Sequence, residues 1–287
     1  MDVKSPVIRY HGGKFRLAPW VMSFFPPHRI YCEPFGGAAG VLMQKPRAYS
    51  EIYNDLDGDL VNLFRVMQDD ALRAMLTELL VLTPYARGEF ERAWRPARNS
   101  LERARRLIIR AQMGFGSAGA TKGTTGFRID TKREYETAQH VWAMYPSNLA
   151  AIGLRLTGVL IENRPAVSVM QAHDTPDTLF YVDPPYVHET RCRITGKGSS
   201  RGYRFEMDDA EHRKLLDAMQ NLAGMVVLSG YPNPLYDEAL QGWERHTTTA
   251  RISGGRGTAI REEVVWLNQA CSRALHGSGL FSIASAA

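Results

Sequence analysis

The feature that most constrains this chain is a strand-to-turn-to-helix rhythm that stops near residue 70 and resumes near residue 157. Arg29–Glu33 reads as a strand ended by Pro34-Phe35-Gly36-Gly37, and Ala38–Gln44 reads as the start of a helix. Tyr49–Asn54 reads as a second strand. Leu60, Leu63, Phe64 and Met67 then recur at the three- and four-residue spacing of a helix face. Strand then helix, repeated across short loops, argues for an α/β fold built on a parallel sheet. Further strands are expected at Gly158–Glu162, Leu179–Asp183, Met225–Ser229 and Val264–Asn268. Asp208 and Glu211 form a capping box for a helix with Leu215, Leu216, Met219 and Leu222 on one face. Between the two halves helical periodicity dominates (Leu72, Met75, Leu76, Leu79, then Leu101 to Met113), broken by a Gly/Thr-rich loop at Gly114–Gly126. The expected organisation is a core from 1–70 and 157–270, a mainly helical insertion at 71–156, and a disordered tail at 271–287.

Charge is unevenly placed along this frame. The chain of 287 residues carries +5 overall. From Tyr85 to Tyr135 there are twelve Lys/Arg against five acids, a net +7, so the rest of the chain carries −2. A second basic stretch, Val187–Arg204, has five arginines and lysines against Glu189. Two basic segments on a slightly acidic body are what a phosphate-binding surface requires, although a solvated arginine-rich helix face would have the same composition. No apolar stretch long enough to span a membrane and no signal-peptide pattern is found, which gives the expectation of a cytoplasmic protein without a membrane partner. Cys32, Cys192 and Cys271 have no CxxC spacing and the histidines no HxH or HxxxH spacing, so no disulfide framework and no metal site is expected.

Three short motifs carry chemistry. Asp183-Pro184-Pro185-Tyr186 follows an apolar strand, which puts a carboxylate at the carboxyl edge of the sheet. The prolines stiffen the turn and leave carbonyls without neighbouring N–H donors, and the tyrosine adds a flat ring. Acceptors for an amino group beside a stacking plane suit a planar heterocycle with an exocyclic amine. Glu33-Pro34-Phe35-Gly36-Gly37 is a glycine turn at a strand-to-helix junction, the usual place for a nucleotide-like ligand, but it lacks the dinucleotide pattern G-x-G-x-x-G. Asp55 follows the second strand, where nucleotide folds carry a ribose-binding acid. Ahead of the first strand stands Tyr10-His11-Gly12-Gly13-Lys14.

These motifs, in this order and with a basic insertion between them, resemble the alpha-group (Dam-type) N6-adenine DNA methyltransferases. Glu162-Asn163-Arg164-Pro165-Ala166 and Ser229-Gly230-Tyr231-Pro232-Asn233-Pro234-Leu235-Tyr236 also look like that family, and the resemblance spans residues 7 to 268. Tyr10 stands where the family more often has Trp. The resemblance implies a Rossmann-like core dependent on S-adenosylmethionine, with 71–156 as an inserted target-recognition domain.

It also implies roles. Asp55 would hold the ribose, Phe35 with Gly36 and Gly37 would lie near the adenosine, Glu33 would take the methionine ammonium, and Lys14 with Tyr10 would hold the carboxylate end. Asp183, which also borders the cofactor, and the Pro184 carbonyl would accept the two hydrogens of the target amine, with Tyr186 stacking on a base flipped out of duplex DNA. Arg103, Arg106, Arg110, Lys122, Arg128, Arg191 and Arg193 would contact DNA. The implied setting is DNA modification of the restriction-modification kind. The motif itself is also compatible with cytosine N4 as acceptor, and a catalytically silent DNA-binding protein on the same core is the alternative from another class.

Overall fold

The computed structural model describes residues 3–117, 119–121, 125–129, 137–187, 203–254 and 257–281, with backbone alone at 251–254, 257–260 and 278–281. Seven strands form one sheet: β1 (Ile30–Glu33), β2 (Ser50–Asn54), β3 (Val159–Glu162), β4 (Thr178–Val182), β5 (Met225–Gly230), β6 (Glu244–Gly254) and β7 (Gly257–Leu267). Their order is β3-β2-β1-β4-β5-β7-β6. The first five run parallel, and β7 is antiparallel to both its neighbours. The chain leaves β1 toward β2 on one side and pairs it with β4 on the other, so the order reverses between β1 and β4. In open α/β sheets ligands bind at that reversal, outside the carboxyl ends of the strands. Here those ends are Glu33, Asn54 and Val182, which deliver Pro34, Asp55 and Asp183 to one edge.

Alternate residues of the strands fall into opposite cores, as a period of two requires. Tyr31, Tyr53, Tyr181 and Val227 enter one apolar cluster. Cys32, Ile52, Phe180 and Leu228 enter the other, with Leu215, Leu216 and Trp266. The second is covered by α9 (Asp209–Gln220), whose Asp208–Glu211 capping box is formed as the sequence predicts. Cys32 and Cys271 are buried free thiols, and Cys192 lies outside the described residues.

The segment 71–156 supplies α3 (Asp70–Val81), α4 (Arg87–Arg92), α5 (Ser100–Met113), α6 (Ala138–Met144) and α7 (Leu149–Leu156). It is helical, as its periodicity predicts. Leu76, Leu107, Ile108 and Ile152 are fully buried in the same cluster as Tyr31 and Phe64. These helices therefore form a layer on α2 (Gly58–Gln68), and their apolar faces are continuous with the core of the sheet.

Two expectations are corrected. Ala38–Gln44 is a set of turns, not a helix. Gly37 and Ala39 take left-handed φ of 49° and 53°, and the Leu42 N–H is drawn to the Glu33 carboxylate at 2.6 Å. The backbone is thereby bent around the ligand edge instead of winding away from it. The tail expected from residue 271 is helical as far as Phe281, in α11 (Gln269–Phe281). Asn268 Oδ1 caps it by accepting from Cys271 N at 2.9 Å, and Glu244 accepts from Ser272 and His276. Residues 282–287 lie outside the described residues. Among the described residues, no helix is long and apolar enough to cross a membrane.

Candidate active site

A cavity of about 350 Å³ opens at the carboxyl ends of β1, β2 and β4. Tyr10, Lys14, Glu33, Phe35, Gly36, Gly37, Asp55 and Asp183, drawn from four separate stretches of sequence, all line it. The glycines are sterically required. A Cβ on Gly36 would lie 2.2 Å from the Tyr53 ring, and one on Gly37 would lie 3.0 Å from the Tyr10 ring.

Each acid on the wall is held by donors of its own neighbourhood. Asp55 accepts from Gly37 N at 2.9 Å and from Asp57 N at 2.7 Å. Burial nonetheless pushes its pKa up to about 6. Glu33 Oε1 accepts from the Tyr31 hydroxyl and from Leu42 N, both at 2.6 Å. It is almost fully buried, and desolvation raises its pKa to about 7 despite those bonds. Both carboxyls are thus poised to gain charge when a cationic or hydroxyl-bearing ligand arrives.

Asp183 receives two clamps. Lys14 Nζ lies 3.0 Å from each carboxylate oxygen and also donates to Gly12 O at 2.9 Å. Burial works against the ammonium, but the carboxylates of Asp183 and Glu263 hold the lysine pKa above its ordinary value. Lys14, expected to meet the cofactor's carboxylate end, lines the cavity and is bound to the candidate catalytic acid. The second clamp is the Ser229 hydroxyl, which donates to Asp183 Oδ1 at 2.7 Å and lies 3.1 Å from the Tyr181 hydroxyl. The register Val182↔Leu228 makes Asp183 and Ser229 neighbours across β4 and β5.

Tyr186 and Pro184 are not on the wall; Pro185 is. The Tyr186 ring is buried behind Asp183. Its hydroxyl donates to Glu263 Oε2 at 2.9 Å, Lys14 Nζ is 4.7 Å from its centroid, and Tyr231 meets it edge-on at 4.5 Å. Sequence reasoning missed Ser229, Glu263, Asp57 and the strip Tyr203–Met207 that closes the cavity opposite the strands. Ser229 lay within a motif that resembles the family, but only strand pairing reveals what it touches.

Of the basic residues expected to grip DNA, those on α5 are engaged by the protein's own groups. Arg103 donates to Asp59 Oδ1 at 2.8 Å and 3.2 Å, Arg106 to Glu102 at 2.6 Å and to the Arg95 and Pro96 carbonyls, and Arg110 lies 3.6 Å from Asp59 with its guanidinium 5.3 Å from the Trp94 ring. Arg128 is buried. This arginine face thus makes partly exposed ion pairs within the chain. Arg204 pairs with Asp57 at 2.8 Å and Asp59 at 3.0 Å on the cavity side. Lys122, Arg191 and Arg193 lie outside the described residues. Arg87, Arg95 and Arg98 of the helical segment are exposed.

Comparison with known proteins places this geometry. The family model of D12 class N6 adenine-specific DNA methyltransferases matches residues 10–252. A Type II methyltransferase, M1.LlaDCHI of Lactococcus lactis subsp. cremoris, is 22% identical over 280 residues, covering 90% of this chain and 92% of the relative. Among solved structures, a precorrin 8w decarboxylase of Methanobacterium thermoautotrophicum aligns over 88% of each chain at 10% identity, with a TM-score of 0.32, too loose a likeness to carry an argument.

Proposed function

The chain belongs to the D12 class of N6 adenine-specific DNA methyltransferases, and on that premise we propose how its own residues bring S-adenosylmethionine and an adenine of duplex DNA together. Family membership decides between adenine N6 and cytosine N4, which Asp183-Pro184-Pro185-Tyr186 alone leaves open. The observation that carries the proposal is the Asp183 carboxylate, held by Lys14 and Ser229 on the wall of a cavity that also presents Asp55 and Glu33.

The cavity fits the cofactor in size and in chemistry. At about 350 Å³ it falls in the range of small-molecule sites. Asp55 keeps lone pairs for ribose hydroxyls, and Glu33 is a buried acid that an ammonium group would complete. Phe35 and Tyr10 supply apolar surface beside them. When bound, S-adenosylmethionine supplies an electrophilic methyl on a sulfonium. Everything else falls to the protein.

The amino nitrogen of adenine is a poor nucleophile because its lone pair is delocalised into the ring. Asp183 and the Pro184 carbonyl, as acceptors for its two hydrogens, would favour a pyramidal nitrogen whose lone pair is directed outward. The clamp from Lys14 and Ser229 fixes the carboxylate's orientation in advance, so little reorganisation is left for the reaction step. An adenine within a duplex cannot reach such a cavity, so the base must be flipped out, with Tyr186 as stacking surface. Because Tyr186 is buried, this role requires Tyr231, which meets it edge-on, to shift when the base enters, while Lys14 stays on Asp183. In the helical segment, the phosphate grip passes to its exposed arginines, Arg87, Arg95 and Arg98.

Methylation of a plasmid by the purified protein, followed by nucleoside mass spectrometry and modified-base sequencing, tests this reading. N6-methyladenine at one recurring sequence is expected. N4-methylcytosine, or no modified base at all, would overturn it.

A further inference from the structure

We propose that Glu263 is a positioning residue for methyl transfer, acting through the Tyr186 hydroxyl to hold the ring on which the flipped adenine stacks. The proposal rests on the methyltransferase reading above. Glu263 is the residue of β7 just past its last pair with β5, Gly230↔Val264, and its backbone is paired with Thr248 of β6. Two residues from Val265, it takes the face of the sheet that carries Tyr181 and Val227. There its Oε2 accepts from the Tyr186 hydroxyl at 2.9 Å.

The Tyr186 ring is held at three points. Glu263 holds its hydroxyl, Tyr231 meets it edge-on at 4.5 Å, and the Lys14 ammonium lies 4.7 Å from its centroid. The same ammonium lies 3.0 Å from each oxygen of Asp183. The stacking surface and the acceptor of the target amine thus share one anchor. When a base enters, Tyr231 is the contact that must give way. The bond to Glu263 is then the restraint left on the outer end of the ring.

This arrangement is not what packing alone would select. Glu263 is 6% exposed, and burial pushes its pKa up against the pull of Lys14 and of the Tyr186 bond. A phenylalanine at 186 beside an apolar residue at 263 would fill the same space with no carboxylate to desolvate. What the hydrogen bond adds is a fixed place for the ring, and with it the distance at which a stacked adenine presents its amine to Asp183. Alignment of this kind acts on the rate of the chemical step, where a shift of about 1 Å can cost about 10²-fold.

The test uses the full-length protein, with single-turnover methylation of the duplex mapped on the plasmid beside equilibrium binding of DNA and S-adenosylmethionine. Tyr186→Phe, Glu263→Ala, Glu263→Gln and the double variant Tyr186→Phe/Glu263→Ala are compared with the parent. Tyr186→Phe removes one oxygen atom and keeps the ring, so it tests the bond even where Glu263→Ala fails to fold. Tyr186→Phe and Glu263→Ala should each slow methyl transfer about tenfold, with both dissociation constants within about twofold of the parent. The double variant should lose no more than either alone, because both remove the same bond. Glu263→Gln keeps an acceptor oxygen at the same reach and should return the rate to within about threefold of the parent. A parent-like rate in Tyr186→Phe, losses that multiply in the double variant, or a Glu263→Gln variant as slow as Glu263→Ala would each overturn the proposal. If the parent makes no modified base, the methyltransferase reading falls and this role with it. If the parent makes N6-methyladenine and Tyr186→Phe does so at the same rate, only the role of Glu263 falls.

Discussion

Lys14 and Asp183, 169 residues apart in the chain, meet with the ammonium 3.0 Å from both carboxylate oxygens. The contact ties the glycine loop before β1 to the turn after β4 that carries Asp183. With the Ser229 hydroxyl at 2.7 Å it leaves the carboxylate one orientation. Ser229→Ala keeps the strand and removes one of the two clamps. It should lower kcat by about tenfold, the value of a hydrogen bond to a charged acceptor, while DNA and cofactor dissociation constants stay within twofold. Single-turnover kinetics beside equilibrium binding checks this, and an unchanged kcat would show that Ser229 only fills space.

The role proposed for Asp55 concerns the cofactor alone. Asp55→Ala should weaken S-adenosylmethionine binding by about 1.5–3 kcal/mol, as expected when hydrogen bonds to a charged acceptor are lost. Calorimetry with unchanged affinity would mean that Asp55 serves only to hold the Gly37 and Asp57 amides.

The pH dependence follows from Glu33. Its pKa is raised to about 7 by burial, and only the ionised form attracts an ammonium group. Below that pH the carboxyl must lose its proton before the cofactor's charge is matched. Affinity should therefore rise, by up to tenfold per pH unit, between about pH 5.5 and 7, and level off above. Glu33→Gln should remove the part of this rise above about pH 6 and leave the part due to Asp55, whose pKa is pushed up to about 6. The same shift makes Glu33 a cost to the fold in the opposite direction. The folded state holds the proton more tightly than the unfolded chain, so its contribution to stability falls as pH climbs from the ordinary carboxylate range to about 7. A calorimetric series in pH on the parent and variant separates the two effects.

The α5 arginines make a prediction about stability. Arg110 is half enclosed by Trp94 and Asp59, and Arg103 is bound to Asp59 and the Gly58 carbonyl. Arg103→Glu or Arg110→Glu should cost about 1–2 kcal/mol or more, between the values for exposed and buried pairs. Thermal melts showing wild-type stability would mean that these pairs do not support the fold.

Much of the site is legible in the sequence because its parts are local. A strand followed by Asp183-Pro184-Pro185-Tyr186, by Gly36-Gly37 or by Asn54-Asp55 must place those groups at a carboxyl edge, whatever surrounds them. What sequence hides is pairing across the sheet and between layers. Ser229 reaches Asp183 only because Val182 is in register with Leu228. Arg103, Arg106 and Arg110 share a helix face by spacing, but spacing cannot say that Asp59 and Glu102 oppose them. Helical expectation failed at Ala38–Gln44 because two left-handed residues and the Glu33 carboxylate outweigh the local propensity. β6 escaped detection because, as the edge strand paired only with β7, its sequence from Glu244 to Gly254 carries no alternation of apolar residues.

Asp183 itself gives the most direct test of the central claim. In Asp183→Ala the acceptor that matters mainly in the transition state is gone, while the cavity wall keeps Asp55, Glu33 and Phe35. With purified protein, saturating S-adenosylmethionine and the mapped duplex, kcat should fall by about 10²-fold or more, with folding and DNA binding retained. Turnover close to that of the parent would contradict the account.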